Sequence, residues 1–109
     1  MDSVMISTTS GIEGYRVTRQ LGVVRGITVR SRGVLGQLAA GLRTIAGGKI
    51  HEYVQLCEQS RREAFDLMVA EAEQQGANAI VCVRYDATEM AESMTEVLCY
   101  GTAVVVQRV

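Results

Sequence analysis

The sequence predicts an α+β fold: an antiparallel or mixed β-sheet covered on one face by two helices. Three observations carry this reading. Residues 15–30 alternate apolar and polar side chains, residues 34–75 switch to three- and four-residue apolar spacing interrupted by Gly47-Gly48, and residues 78–86 and 94–106 return to strand-like runs. Read in order, the elements are strand, strand, helix, helix, strand, strand, an arrangement that packs helices against a sheet around one core. At 109 residues, the chain reads as one domain spanning 1–109.

The β-branched run Val4–Thr9, closed by Ser10-Gly11, predicts a short strand and a turn. From Tyr15 to Arg30, one face carries Tyr15, Val17, Leu21, Val23, Ile27 and Val29; the other carries Arg16, Thr18, Gln20, Thr28 and Arg30. This is the pattern of a half-buried strand, and Gly22 and Gly26 are the positions where so long a run would bulge or break. Leu35, Leu38, Ala39, Leu42, Ile45 and Ala46 then mark an amphipathic helix over 34–46, with Gly47-Gly48 just past its end. A second helix is expected from about Ile50 to Gln75, stopped by Gly76. Its apolar stripe runs through Ile50, Tyr53 or Val54, Cys57, Ala64, Phe65, Met68 and Ala72, with a polar break at Ser60 or Arg61. That break is read as a small Ser60 against the sheet and an Arg61 lying across its edge on an aliphatic stem.

The final strand is apolar on both faces. Met94, Leu98, Tyr100, Val104 and Val106 point one way, and Val97, Cys99, Ala103 and Val105 the other. With helices on one side of the sheet, the second face is expected to pack on another copy of the chain.

Composition narrows the function. Hydrophobic residues make up 48% of the chain but aromatics only 5%, so the core is aliphatic and self-association would add useful buried area. Residues 1–50 hold seven basic and two acidic side chains, residues 51–109 four and ten. Such asymmetry fits complementary surfaces within or between subunits. Nucleic acid is disfavoured, because the net charge is −1 and the stacking aromatics of single-strand binders are missing, with no Trp and one Phe. No run approaches a membrane span, Met1-Asp2-Ser3 does not open a leader, and three widely spaced cysteines fit a reducing compartment; a cytoplasmic location is expected.

No catalytic constellation stands out, and a non-enzymatic protein is expected. His51, Glu52 and Cys57 are the metal-capable side chains closest in sequence, yet on a helix Cys57 points away from His51, while His51 and Gln55 share a face. Cys82 and Cys99, on adjacent strands, read as small apolar fillers that could be cross-strand neighbours. Gly47-Gly48-Lys49 could cradle an anion but is too short for a P-loop, and reads as a tight helix–helix turn flanked by Arg43 and Tyr53. The cluster offered for ligand or subunit contact is Arg43, Gly47, Gly48, Lys49, His51, Tyr53 and Arg61. A metal cofactor is conceivable on composition but unsupported by ligand spacing.

Ser7-Thr8-Thr9, Gly22-Val23-Val24 with Gly26, Ala40-Gly41-Leu42-Arg43 followed by Gly47-Gly48 and Tyr53, Ala64-Phe65, Gly76 to Val81, and Gly101-Thr102-Ala103-Val104 together resemble the YbjQ-like family, UPF0145, which carries a heavy-metal-binding label. The resemblance runs through nearly the whole chain. It implies a β-α-α-β-β, dodecin-like subunit assembled into a ring of five, and it leaves the activity open. Cys57, Cys82 and Cys99 stand where members of the family carry Leu, Gly and Val, and Leu21 where at least one carries Cys, so no cysteine inherits a ligand role. Ile27, Gln37 and Thr44 replace Glu, Asp and Asp, which would remove a cation site built on those carboxylates.

Overall fold

The computed structural model describes residues 1–2, 5–31, 48–91 and 94–109. Its elements are β1 (Tyr15–Ser31), α1 (Gly48–Gln74), β2 (Ala79–Ala91) and β3 (Met94–Arg108). The strands form one antiparallel sheet in the order β1-β3-β2, with β3 at the centre.

β1 and β3 form close to where the sequence places them, while β2, expected over 78–86, continues to Ala91 because Ala87, Thr88, Glu89 and Ala91 pair with the start of β3. β1 is a single strand of 17 residues, longer than usual, and its register slips between Val17 and Arg19 and again between Gln20 and Gly22. Gly22 has φ 118°, a conformation open to glycine, so the second slip falls at one of the two glycines expected to interrupt the strand. Past it, the strand's inward phase is Val24, Gly26, Thr28 and Arg30. Val23, Ile27 and Val29, expected on the buried side, instead face away from the helix and are exposed.

The reason lies in the helix. α1 buries Ser60, Ala64, Met68 and Ala72, one residue per turn and mostly small, so its backbone can sit close to the sheet. It does so over Gly26, where a Cβ would overlap the Ala64 carbonyl oxygen and stand 2.6 Å from the Met68 nitrogen. Only the phase of β1 that carries Gly26 can receive the helix. The core between them joins Val24, Ala64, Met68 and Ala72 to Ile80, Val83, Cys99 and Ala103.

α1 ends in a Schellman turn. Gly76 takes φ 86°, its N–H donates to the Glu73 carbonyl at 3.0 Å, and the Ala77 N–H donates to the Ala72 carbonyl at 3.1 Å. Asn78 then starts the return to the sheet. Its side-chain amide donates to the Val106 carbonyl at 2.9 Å and its side-chain oxygen accepts the Val106 N–H at 2.7 Å, copying a backbone pair before β2 begins.

Three expectations need correction. Of the strand expected at Val4–Thr9, the described residues 5–9 form one parallel bridge, Ile6 to Ile80, and three backbone bonds to β2 (Ser7 N–H to the Ile80 carbonyl, Val83 N–H to the Ser7 carbonyl, Cys82 N–H to the Thr9 carbonyl), and their hydroxyls then turn the chain. Ser7 Oγ lies 2.5 Å from Thr9 Oγ1 and accepts the Thr9 N–H at 3.0 Å, while Thr9 Oγ1 donates to the Gly11 carbonyl at 2.6 Å. The segment still serves the fold, since Met5, with Ile12 and Tyr15 that follow it, packs over Val81, Val104 and Val106 on the face opposite α1. The cover of two helices is corrected to one, α1, among the described residues; the helix expected at 34–46 lies outside them. The order is β-α-β-β, and the ring expected with the two-helix subunit is not supported by this three-stranded, one-helix architecture.

Candidate functional site

The polar break at Ser60 opens a cleft between the first half of α1 and the sheet. Ser60 is buried, and polar contacts replace apolar packing around it. The Arg30 Nε donates to Ser60 Oγ at 3.0 Å, the Arg30 guanidinium pairs with Glu63, and Thr28 Oγ1 donates to the Ser60 carbonyl at 3.3 Å. The inward polar phase of β1 and the polar break of α1 are therefore two halves of one latch. Gln59 adds a 3.5 Å bond to the far oxygen of Glu63.

Beside the latch, Arg30, Cys57, Ser60, Arg61, Ala87, Thr95 and Val97 enclose about 230 Å³. A second space of about 390 Å³ is bounded by Glu58, Arg61, Arg62, Phe65 and Tyr85, with Arg61 common to both. The guanidinium of Arg62 lies 5.8 Å from the centre of the Phe65 ring. Arg61 reaches Glu58 only at 3.8 Å, with both side chains more than half exposed, so this pair contributes little.

The floor is chemically quiet. Tyr85 stands opposite Cys99 in the β2–β3 register, and burial, with the neighbouring Cys99 adding to it, raises the Tyr85 hydroxyl above its ordinary pKa. Burial also pushes the Cys99 thiol up, against an opposing hydrogen bond from Tyr85. Cys99 donates to the Met68 sulfur at 3.7 Å. A protonated, buried thiol beside a thioether is a packing group, as expected of Cys99, and a poor nucleophile.

Of the residues offered as a cluster, the structure brings Arg61 into this cleft. His51 is exposed, with Gln55 Nε2 3.2 Å from its ring, as their shared helix face implied. Ten residues separate His51 from Arg61, about 15 Å along the axis, so they do not form one site within the chain. Gly48 opens α1 where a glycine was expected just past a helix end. Lys49 and Tyr53 lie in α1 with side chains outside the description, and Arg43 and Gly47 lie outside the described residues. Cys82 and Cys99 are not neighbours: Cys82 sits in a bulge of β2, at φ 56°, and packs with the N-terminal segment, while Cys99 faces α1. Sequence reasoning missed Arg30, Thr95 and Tyr85. The available signal was the match between a polar strand phase ending at Arg30 and the polar break at Ser60.

Metal ligation does not fit the described residues: no group of three or more His, Cys, Asp or Glu side chains converges among them. Among them, too, no helix is long and apolar enough to cross a membrane.

Together these features define a small α+β domain, one helix over a three-stranded antiparallel sheet, with a polar cleft and no assembled catalytic or metal centre among the described residues. The chain belongs to the YbjQ-like family, UPF0145: a family profile described as "Putative heavy-metal-binding" matches residues 4–107. A UPF0145 protein of Burkholderia thailandensis is 53% identical over 103 residues, covering 94% of this chain and 93% of the relative. One from Solibacter usitatus is 56% identical over 99 residues, covering 91% and 88%. Among solved structures, a Pediococcus pentosaceus protein of unknown function, assigned to the DUF74 family, is similar in fold at TM-score 0.59 and 19% identity, over 94% of this chain and 96% of that one.

Proposed function

We propose that this protein is a non-enzymatic, self-associating binding or structural module of the cytoplasm, whose copies meet through the sheet face opposite α1. The observation that carries this reading is the composition of that face. Val23 is 70% exposed, Ile27 43%, Val29 46% and Tyr100 37%, a contiguous apolar patch that water covers poorly in a lone chain. The face is also ordered by charge. Tyr100 is flanked in register by Arg25 and Arg84, Leu98 by Ile27 and Asp86, and Glu96 by Val29 and Thr88. Basic side chains thus lie about 13 Å from Glu96, with Ile27, Leu98 and Asp86 in the row between. Two copies stacked face to face and antiparallel, about a two-fold axis, set each basic end over the other's acidic end, which favours a second copy as the occupant. Multi-angle light scattering at micromolar concentration gives an oligomeric mass for the parent and a monomeric mass for Ile27→Asp, with unchanged far-ultraviolet circular dichroism. A stable monomeric parent refutes the reading.

The family's description favours one second reading, a metal ion or small anion held where subunits meet, with Lys49, His51 and Glu52 near the start of α1 as contributors. Calorimetric titration with zinc, copper, nickel and phosphate tests it: heat that is lost in His51→Ala supports it, and no heat from any of them ends it.

A further inference from the structure

We propose that the cleft beneath the first half of α1 binds a small organic carboxylate carried on an aromatic body. The site lies within one chain, on the sheet face opposite the self-association patch, so its test is independent of assembly.

Charge selects an anion. Arg30 is neutralised by Glu63 and held by Ser60, so it adds no net charge to the smaller space that it lines. Arg61 and Arg62 remain against Glu58, so the larger space carries one excess positive charge in two planar guanidinium groups. A guanidinium fork matches a carboxylate in two parallel hydrogen bonds. The hydroxyls of Ser60 and Thr95 add donors in the adjoining space. A metal cation would need acceptors here, and among the described residues Glu58 is the one carboxylate lining either space.

Shape and lining select the body. At about 390 Å³, the larger space lies within the range of roughly 300–1,000 Å³ typical of small-molecule sites. Two of the chain's five aromatic residues, Phe65 and Tyr85, line it, and Arg62 already lies over the Phe65 ring. A flat ring can rest between those side chains while its carboxylate meets Arg61. Inorganic phosphate is disfavoured: one excess positive charge beside two aromatic rings does not offset the desolvation of a dianion.

The test is a ¹⁵N–¹H NMR titration of the full chain with sodium benzoate, benzyl alcohol and sodium phosphate as probes. Benzoate is expected to shift the amides of residues 57–65 and 85–87 and to saturate, while the neutral alcohol and phosphate do not saturate. Arg61→Gln weakens benzoate about tenfold or more, and Phe65→Leu, which keeps the site apolar without its ring, weakens it as well. The proposal is overturned if benzoate produces no saturable shift, if phosphate saturates the same amides as tightly, or if both variants bind benzoate like the parent.

Discussion

Replacing Gly26 by alanine adds one methyl group where α1 rests on β1, and the cost follows from the distances there. The new Cβ would overlap the Ala64 carbonyl oxygen and stand 2.6 Å from the Met68 nitrogen and 2.7 Å from the Leu67 Cβ. Carbon contacts relax near 3.5–4.0 Å, so the helix must lift by about 1 Å over its best-packed turns. Backbone atoms cannot swing aside as a side-chain end could. A gap of that size forfeits about a quarter to a half of each dispersion contact along the buried stripe, beyond the roughly 1–3 kcal/mol of an overpacked core. The sum is about 3–4 kcal/mol, a large share of the roughly 5–15 kcal/mol that stabilises a domain. Tm should therefore fall by more than about 10 °C in a scanning calorimeter. Gly11→Ala is the control, since its Cβ meets nothing within 4 Å and should leave Tm unchanged. If the Gly26 variant melts within about 2 °C of the parent, the claim that backbone contact selects which face of β1 is buried is refuted.

Three further outcomes follow. Cys82 occupies the left-handed region at φ 56°; Cys82→Gly should stay within about 0.5 kcal/mol of the parent in urea denaturation, whereas the β-branched Cys82→Val should lose about 1–2 kcal/mol. Asn78→Ala removes two bonds to Val106 and should lose about 1–2 kcal/mol, with early hydrogen exchange at the start of β2. Folding raises the pKa values of Cys99 and Tyr85, so above the ordinary values of 9.0 and 10.0 the unfolded chain releases protons that the folded chain retains. Stability is then full below about pH 9 and falls as pH climbs past it; urea denaturation at pH 7 and pH 10 should show the loss, and Cys99→Val should shrink it.

The elements that pack through periodic apolar positions were legible in the sequence. The stripe of α1 and the strand-like runs of β1 and β3 predicted these elements and nearly their limits, whereas β2, expected to stop at Asp86, runs on to Ala91 through residues paired with β3; Gly76 marked the helix end because a Schellman turn needs a residue that tolerates φ 86°. Which face of β1 is buried was not legible. Hydropathy favours Val23, Ile27 and Val29, while the decision rests on Gly26, whose contribution is an absent atom. The N-terminal segment was half legible: Ser7 and Thr9 do bond to the β2 backbone, but their hydroxyls also bond the local backbone and turn the chain before a regular strand can continue. Of the candidate cluster, Arg61 is the member that the described residues place in the cleft. The cleft's other α1 residues, Cys57, Glu58, Ser60, Arg62 and Phe65, are close in sequence, but the strand side, Arg30, Tyr85, Ala87, Thr95 and Val97, lies more than 20 residues from Arg61, a distance no local pattern spans.

The two halves of α1 are held to the sheet by different physics. From Ala64 to Ala72 the attachment is close apolar contact, which releases only when the core opens. Around Ser60 it is a handful of hydrogen bonds and one ion pair, which water can replace one at a time. Local opening should therefore begin at the amino-terminal half and stop near Ala64, the rear half acting as a fixed stem and the front half as a door. The smaller space, at Arg30, Cys57, Ser60 and Arg61, lies under that door, and the larger one straddles the hinge, with Phe65 on the stem; an occupant that bridges α1 to the sheet there would slow the opening.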